Sequence, residues 1–447
     1  MIKLSHQNIR NPLTNSVIVA SVLLCLLLIS GCSGSNAQAG TTAAPTTTLT
    51  VTPEQTVASS ATPAPTQSPT SAAAPVPSQE NDSVTQTIAG MTLEEKIGQM
   101  LLVGIDGTVL DANAKKMITQ DNVGGIILYA ANIKDLKGMV SLVNSLKKSN
   151  STNPVPLFMS VDQEGGKVSR MPAEFAKIPS NGIVGDSNNA ATAKTMGTLL
   201  AREILAAGFN MNFAPVLDIN SNPDNPVIGD RSFGSSASKV IKLGIAEMQG
   251  IESEGIVPVI KHFPGHGDTS VDSHLELPVV NKTAAQLAKL EWLPFQAAIK
   301  ANADAVMVAH ILFPKLDPNK PASLSDIIIG KQLRGDMGFK GVVITDDLTM
   351  GAITKHFNLG NAAIDTVKAG SDILLIAHEY ENEQIVLKAL LQSVKKGEIT
   401  EARIDESVHR ILALKNKYQI SDDAVPIPDL SELNTAITSW RNKMSKN

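Results

Sequence analysis

Six of the eight strand-like segments in this 447-residue chain finish on an ionisable side chain, and that regularity restricts the fold more than any other feature. The apolar runs cover residues 99–105, 123–129, 157–162, 211–218, 257–262, 305–310, 342–346 and 373–378. They alternate with amphipathic stretches of helical period, among them 133–148, 190–207, 239–254 and 284–301. Short apolar runs separated by helices read as βα units around a parallel sheet. Eight such units close a barrel whose strand ends meet around one mouth, where barrel enzymes place their chemistry. Asp162, Asp218, His262, His310, Asp346 and His378 occupy those ends. An open doubly wound sheet is the alternative, but it gathers ligands at a switch point and has no need of polar termini on nearly every strand. The expected fold class is α/β: a single (β/α)8 TIM-type barrel over residues 84–424.

What precedes the barrel is different in kind. Lys3 and Arg10 come before an apolar run, 17–29, that is short for a membrane span and reads as a secretory signal occupying residues 1–31. It ends in Leu28-Ile29-Ser30-Gly31-Cys32, which resembles the lipobox of bacterial lipoproteins, where the cysteine becomes the lipid-bearing first residue. An uncleaved anchor helix is the alternative, and either leaves the protein tethered. Cys25 falls in the removed segment, so the mature chain keeps Cys32 alone and forms no internal disulfide. Residues 32–83 are rich in Thr, Ala, Pro and Ser and lack aromatics, too little apolar surface to fold. A coil of that length reaches roughly 40 Å. The expected location is therefore extracytoplasmic, with a lipid anchor in a bacterial cell membrane. Residues 425–447 form a tail that packs on the barrel or frays.

Several function classes are excluded. A net charge of −5 without a basic block argues against nucleic acid. There is no GxxxxGK[ST], no GxGxxG after a strand and no CxxC pair, so nucleotide binding and structural zinc lack support, and no cofactor is expected.

Residues 261–274, KHFPGHGDTSVDSH, place three histidines and two aspartates in a loop after an apolar strand, with Gly and Pro setting the backbone. Within it, Asp272 and His274 can lie on the same side. An aspartate bonded to an imidazole fixes its tautomer and makes it a competent acid and base near neutral pH. The strand 342–346 runs directly into Asp346 and Asp347. Burying an unpaired carboxylate is costly, so at least one meets a partner or opens into a polar site, where it can act as a nucleophile. Asp347 suits a cap for the following turn. Asp162-Gln163-Glu164-Gly165-Gly166 ends another strand in acids and a glycine pair that lets a ligand approach the backbone. Asp230-Arg231-Ser232-Phe233-Gly234 adds an arginine in a turn-rich segment.

KHFPGHGDT followed by DSH, with VDQEGG, DRSFG and TDDLTMGAI in that family's order, resembles the glycoside hydrolase family 3 β-N-acetylglucosaminidases of the NagZ type, from about Met91 to Tyr418. The resemblance implies a retaining hydrolase that removes terminal β-linked N-acetylglucosamine (GlcNAc); among GlcNAc-MurNAc, its anhydro form, muropeptides and chitin fragments, export and the tether make the peptidoglycan fragments the expected substrates. It implies Asp346 as nucleophile, His274 as acid/base oriented by Asp272, and Asp162, Arg170, Arg231, Lys261 and His262 as the residues that hold the sugar. A histidine donor fits an anionic leaving group such as a muramic acid lactyl ether or peptide, which would repel a second carboxylate. Lys167 stands where the family pattern usually has Arg, keeping the charge without the planar fork.

Three other functions compete. His262, His266, Asp268, Asp272 and His274 could instead be ligands of a metal-dependent hydrolase, although no second histidine pair has ligand spacing. A phosphorylase on the same scaffold would use the histidine to tolerate an incoming phosphate. A non-catalytic wall-binding lipoprotein would not need Asp272, His274 and Asp346 together.

Overall fold

A computed structural model describes residues 79–444. The signal segment, Cys32 and the linker up to residue 78 lie outside the described residues.

Eight strands form, one at each apolar run: β1 Leu101–Gly104, β2 Gly125–Leu128, β3 Phe158–Val161, β4 Met211–Asn212, β5 Val257–Phe263, β6 Ala305–Val308, β7 Val342–Thr345 and β8 Leu374–Ile376. Nearly every residue in them is buried, as expected where one face looks into a packed barrel and the other onto helices. Neighbours pair in parallel in the order β7-β6-β5-β4-β3-β2-β1-β8. The ring closes where Ile344 bridges Ile373: the Thr345 amide donates to the Ile373 carbonyl at 3.0 Å, and the Ile373 amide to that of Val343 at 3.0 Å. Closure leaves no exposed strand edge. The fold is the (β/α)8 barrel.

One predicted strand is cut short and one predicted helix is split, each at a proline. The run 211–218 forms only a two-residue strand, because Pro215 has no N–H to continue the ladder. Pairing with β5 resumes at the bridge between Val216 and Lys261. The stretch 284–301 forms two helices, Ala284–Leu287 and Leu293–Lys300, with Pro294 in the first turn of the second, where its missing donor costs nothing. The first helix, Gln79–Gly90, begins inside the segment expected to be tether. At the next helix, Leu93–Gln99, the Thr92 and Glu95 capping box closes as the sequence indicates, with the Thr92 amide donating to Glu95 Oε2 at 2.7 Å.

Helices Ala190–Ala206 and Ala237–Glu252 pack tightly beside β4 and β5. A Cβ at Gly197 would stand 2.1 Å from the Glu247 carbonyl oxygen, so the crossing requires glycine. The tail packs rather than frays: helix Ser431–Met444 buries Ile437 and Trp440 in the apolar cluster that contains Met196, Leu199 and Leu200. Its Asn434 Oδ1 accepts the Ala176 amide at 2.7 Å and its Arg441 donates to the Lys177 carbonyl at 3.1 Å. The tail thus braces the long connection that follows β3.

Candidate active site

The connection after β3 brings Asp162 and Glu164 against Lys261 at the end of β5. Lys261 is 1% exposed, and its ammonium lies 2.6 Å from Asp162 Oδ1 and 2.6 Å from Glu164 Oε1. Arg231 grips Glu164 with both prongs of its fork, Nε to Oε2 at 2.8 Å and Nη2 to Oε1 at 2.7 Å. Burial disfavours a charged Glu164, but Arg231 and Lys261 outweigh it and hold the carboxyl far below the usual carboxylate range. Two cations and two carboxylates therefore interlock, and the cavity meets a fixed array of donors and acceptors.

Behind β5 lies a second layer. Asp218 is fully buried; its Oδ2 meets His262 Nδ1 at 2.6 Å and its Oδ1 accepts the His266 amide at 2.6 Å. With Nδ1 committed, His262 turns Nε2 toward Arg231 Nη2, 3.4 Å away, on the cavity side. His266 sits between Thr269 Oγ1 at 2.8 Å and Ser273 Oγ at 3.3 Å. Burial, with His262 beside it, pushes the His266 imidazole down to about 4, so it stays neutral near pH 7. His310 is wholly buried between Ser323 Oγ at 2.6 Å and the Asp347 carbonyl at 2.9 Å. Asp218 and His310, though at strand ends, support the site from behind.

Asp346 emerges from β7 at the cavity floor. Its Oδ1 accepts the Asp347 amide at 2.9 Å, which leaves Oδ2 for a reacting atom. Burial works against ionisation, but the imidazoles of His310 and His262, the Asp347 amide and His274 hold this carboxyl below its ordinary range. Asp347 does not share the role. Its carboxylate accepts from Thr349 N–H at 2.9 Å and Ala377 N–H at 3.0 Å, capping the turn and tying β7 to β8. His274 stands at the mouth with its side chain 67% exposed. Asp272 Oδ1 binds both its amide, at 2.9 Å, and its Nδ1, at 2.8 Å, which turns Nε2 away from the aspartate.

Asp162, Arg170, Arg231, Lys261, His262, His274 and Asp346 line one cavity of about 290 Å³, and Asp272 adjoins it through His274. That volume fits about one sugar ring, with the rest of a longer substrate outside. Tyr129 and His378 form a rim on the same cavity, their rings 5.7 Å apart and 28° from parallel. The residues suggested as metal ligands are divided among other partners: Asp268 pairs with Lys282 at 2.9 Å, and His262 and His266 are held as above. Among the described residues no three of His, Cys, Asp and Glu are spaced to hold a metal ion. Lys167 pairs loosely with Asp230, 3.5 Å away and exposed.

Sequence reasoning missed the part played by Glu164, Asp218 and His266. Glu164 was visible as a second acid in Asp-Gln-Glu, but its partners lie 67 and 97 residues away along the chain. It also missed Glu203, on helix Ala190–Ala206, which accepts from Gln163 Nε2 at 2.6 Å, while Gln163 Oε1 accepts the Arg170 amide at 2.8 Å. Burial pushes the Glu203 carboxyl up to about 8. A group whose folded pKa is raised favours the folded state below its unfolded value and loses that contribution as pH climbs through the folded one. Stability is therefore expected to fall between about pH 4.5 and 8 by on the order of 5 kcal/mol from this group. Glu203→Gln should flatten that dependence in thermal melts at pH 5 and pH 8; parallel melting curves would refute it.

The model of the glycosyl hydrolase family 3 N-terminal domain matches residues 92–414. The chain belongs to glycosyl hydrolase family 3. Among relatives of this family 3 glycoside hydrolase, β-hexosaminidase A of Pseudoalteromonas piscicida is 35% identical over 348 residues, covering 72% of this chain and 58% of that protein. A β-hexosaminidase of Idiomarina loihiensis is 32% identical over 326 residues, covering 72% of this chain and 95% of its own length. The structure of a family 3 β-N-acetylglucosaminidase from a Paenibacillus species superposes with a TM-score of 0.75 at 40% identity, covering 79% of this chain and 69% of that one. The family match spans all eight strands and every candidate residue of the cavity.

Proposed function

We propose that this glycoside hydrolase, of the β-hexosaminidase type, removes terminal β-linked GlcNAc from peptidoglycan fragments with retention of configuration. The observation that carries the proposal is that Asp346, kept ionised, and the His274–Asp272 pair serve one sugar-sized cavity. In the first step Asp346 Oδ2 attacks the anomeric carbon, the glycosidic C–O bond breaks, and His274 Nε2 gives its proton to the departing oxygen. In the second, His274 takes a proton from water, whose oxygen attacks the same carbon and releases the Asp346 carboxylate. Asp272 stabilises the imidazolium that donates in the first step and re-forms in the second, the ring being neutral in between. Asp162, Arg170, Arg231, Lys261 and His262 hold the sugar hydroxyls, and the ion pairs of Lys261 with Asp162 and Glu164 and of Arg231 with Glu164 fix three of them before substrate arrives.

A histidine donor supports an anionic leaving group, which favours muramyl saccharides. The basic start of the chain, its short apolar run and Cys32 support a lipid-anchored protein outside the cytoplasm, where such fragments arise. Incubation with the GlcNAc-MurNAc disaccharide should release β-GlcNAc first, followed by anomeric NMR, and a slow fluorinated sugar should label Asp346. Initial release of α-GlcNAc, or label on another residue, would reject the mechanism. A sugar 1-phosphate appearing only with inorganic phosphate would make the enzyme a phosphorylase.

A further inference from the structure

The side chain of His274 is mostly in solvent and bonded to Asp272 of its own segment, so its position follows that of the segment's backbone. Inside the segment, the Asp272 carbonyl accepts the amides of Leu275 and Glu276, both at 3.0 Å, making a compact turn. That turn is docked on the chain that follows Asp346. The Gly351 amide donates to the His274 carbonyl at 3.2 Å and the Ala352 amide to that of Ser273 at 3.1 Å. Lys355 Nζ donates to the Leu275 carbonyl at 2.6 Å, and Glu276 pairs with both Lys355, at 3.6 Å, and His356. Gly351 is the close point of this contact. A Cβ there would stand 2.7 Å from the His274 oxygen and 2.9 Å from the Leu275 oxygen, nearer than real Cβ contacts. Both obstacles are backbone atoms, so no side-chain rotation relieves the overlap.

We propose that Gly351 is a positioning residue: its bare Cα and its amide hold the His274 turn against the nucleophile's own loop, and so fix the proton donor relative to Asp346. The inference rests on His274 being the acid/base. Because the turn and Asp346 share one support, their separation is insulated from movement elsewhere in the long connection after β5. Any side chain at position 351 pushes the turn outward, and with it the imidazole. A displacement of about 1 Å at a reacting group can cost on the order of 100-fold.

The test uses two substrates on the full chain. A GlcNAc-MurNAc disaccharide needs proton delivery to its leaving alcohol; 2,4-dinitrophenyl β-GlcNAc does not. Gly351→Ala should lower kcat/KM for the disaccharide at least about tenfold and leave that for the dinitrophenyl sugar within about twofold, a split that a general structural defect would not produce. His274→Ala serves as the reference. If His274→Ala itself shows no such split, the acid/base assignment falls; if it does and Gly351→Ala affects both substrates equally or neither, only the present inference falls. Glu276→Gln, which removes the surface pairs with Lys355 and His356, should give the same selectivity at about two- to threefold, smaller because exposed pairs are weak. It decides the matter alone if Gly351→Ala does not fold, with equal change on both substrates counting against the proposal.

Discussion

Replacing Asp346 with asparagine is expected to lower kcat by roughly 10⁴-fold or more, on the scale of removing a catalytic nucleophile elsewhere, with the melting temperature nearly unchanged. The substitution preserves shape. An asparagine Oδ1 still accepts the Asp347 amide, and the backbone amide still donates to the Val308 carbonyl at 2.9 Å. What disappears is the negative oxygen, held ionised in the wild type by the imidazoles and amide around it. On the proposed mechanism no glycosyl ester then forms, and the remaining rate comes from sugar binding and the proton donor alone. Asp346→Ala with added azide sharpens the test, because a nucleophile entering from the vacated face should yield the α-glycosyl azide. More than a few per cent of wild-type turnover in purified Asp346→Asn would remove the carboxylate from the mechanism.

Lys261→Met is expected to have the largest effect on stability, about 3–5 kcal/mol, together with loss of sugar binding. Methionine fills nearly the same volume, so the cost is electrostatic. Lys261 is the cation that Asp162 and Glu164 share at 2.6 Å each; Glu164 would keep Arg231, but Asp162 would be left beside the cavity without its counter-charge. Removing one partner of a buried pair strands the other, whereas an exposed pair contributes little. The fair control is Lys167→Met, whose partner Asp230 is half in solvent. That variant should lie within about 1 kcal/mol of wild type. Equal melting temperatures for the two variants would show that the buried array does not brace the barrel mouth.

Much of the fold was legible because barrel strands announce themselves locally. Runs such as Val342–Thr345 are apolar on both faces, and the alternation with helical periods repeats eight times. Errors fell where one residue overrode a pattern. Pro215 withheld an amide and cut β4 to two residues, and Pro294 split a helix that the hydrophobic period alone would have continued. Of the site, the turn of Asp272 and His274 could be read because the two residues are neighbours in sequence. The clasp of Glu164 by Arg231 and Lys261 could not, since nothing local to DQEGG names partners so far along the chain.

The sequence by itself determined the strand and helix succession, and with it that six ionisable strand ends would gather at one mouth. Only the tertiary structure decided which way each of them faces. Asp162, His262, Asp346 and His378 line the cavity, whereas Asp218 and His310 turn inward and become fully buried supports. The physical reason is that strand period is a property of neighbours, while the direction of a terminal side chain depends on what it can bond. Asp218 finds His262 and the His266 amide, His310 finds Ser323 and the Asp347 carbonyl, and both are thereby withdrawn from solvent. The approach of the His274 turn to Gly351 is of the same kind, set by backbone atoms that meet only after the barrel has closed.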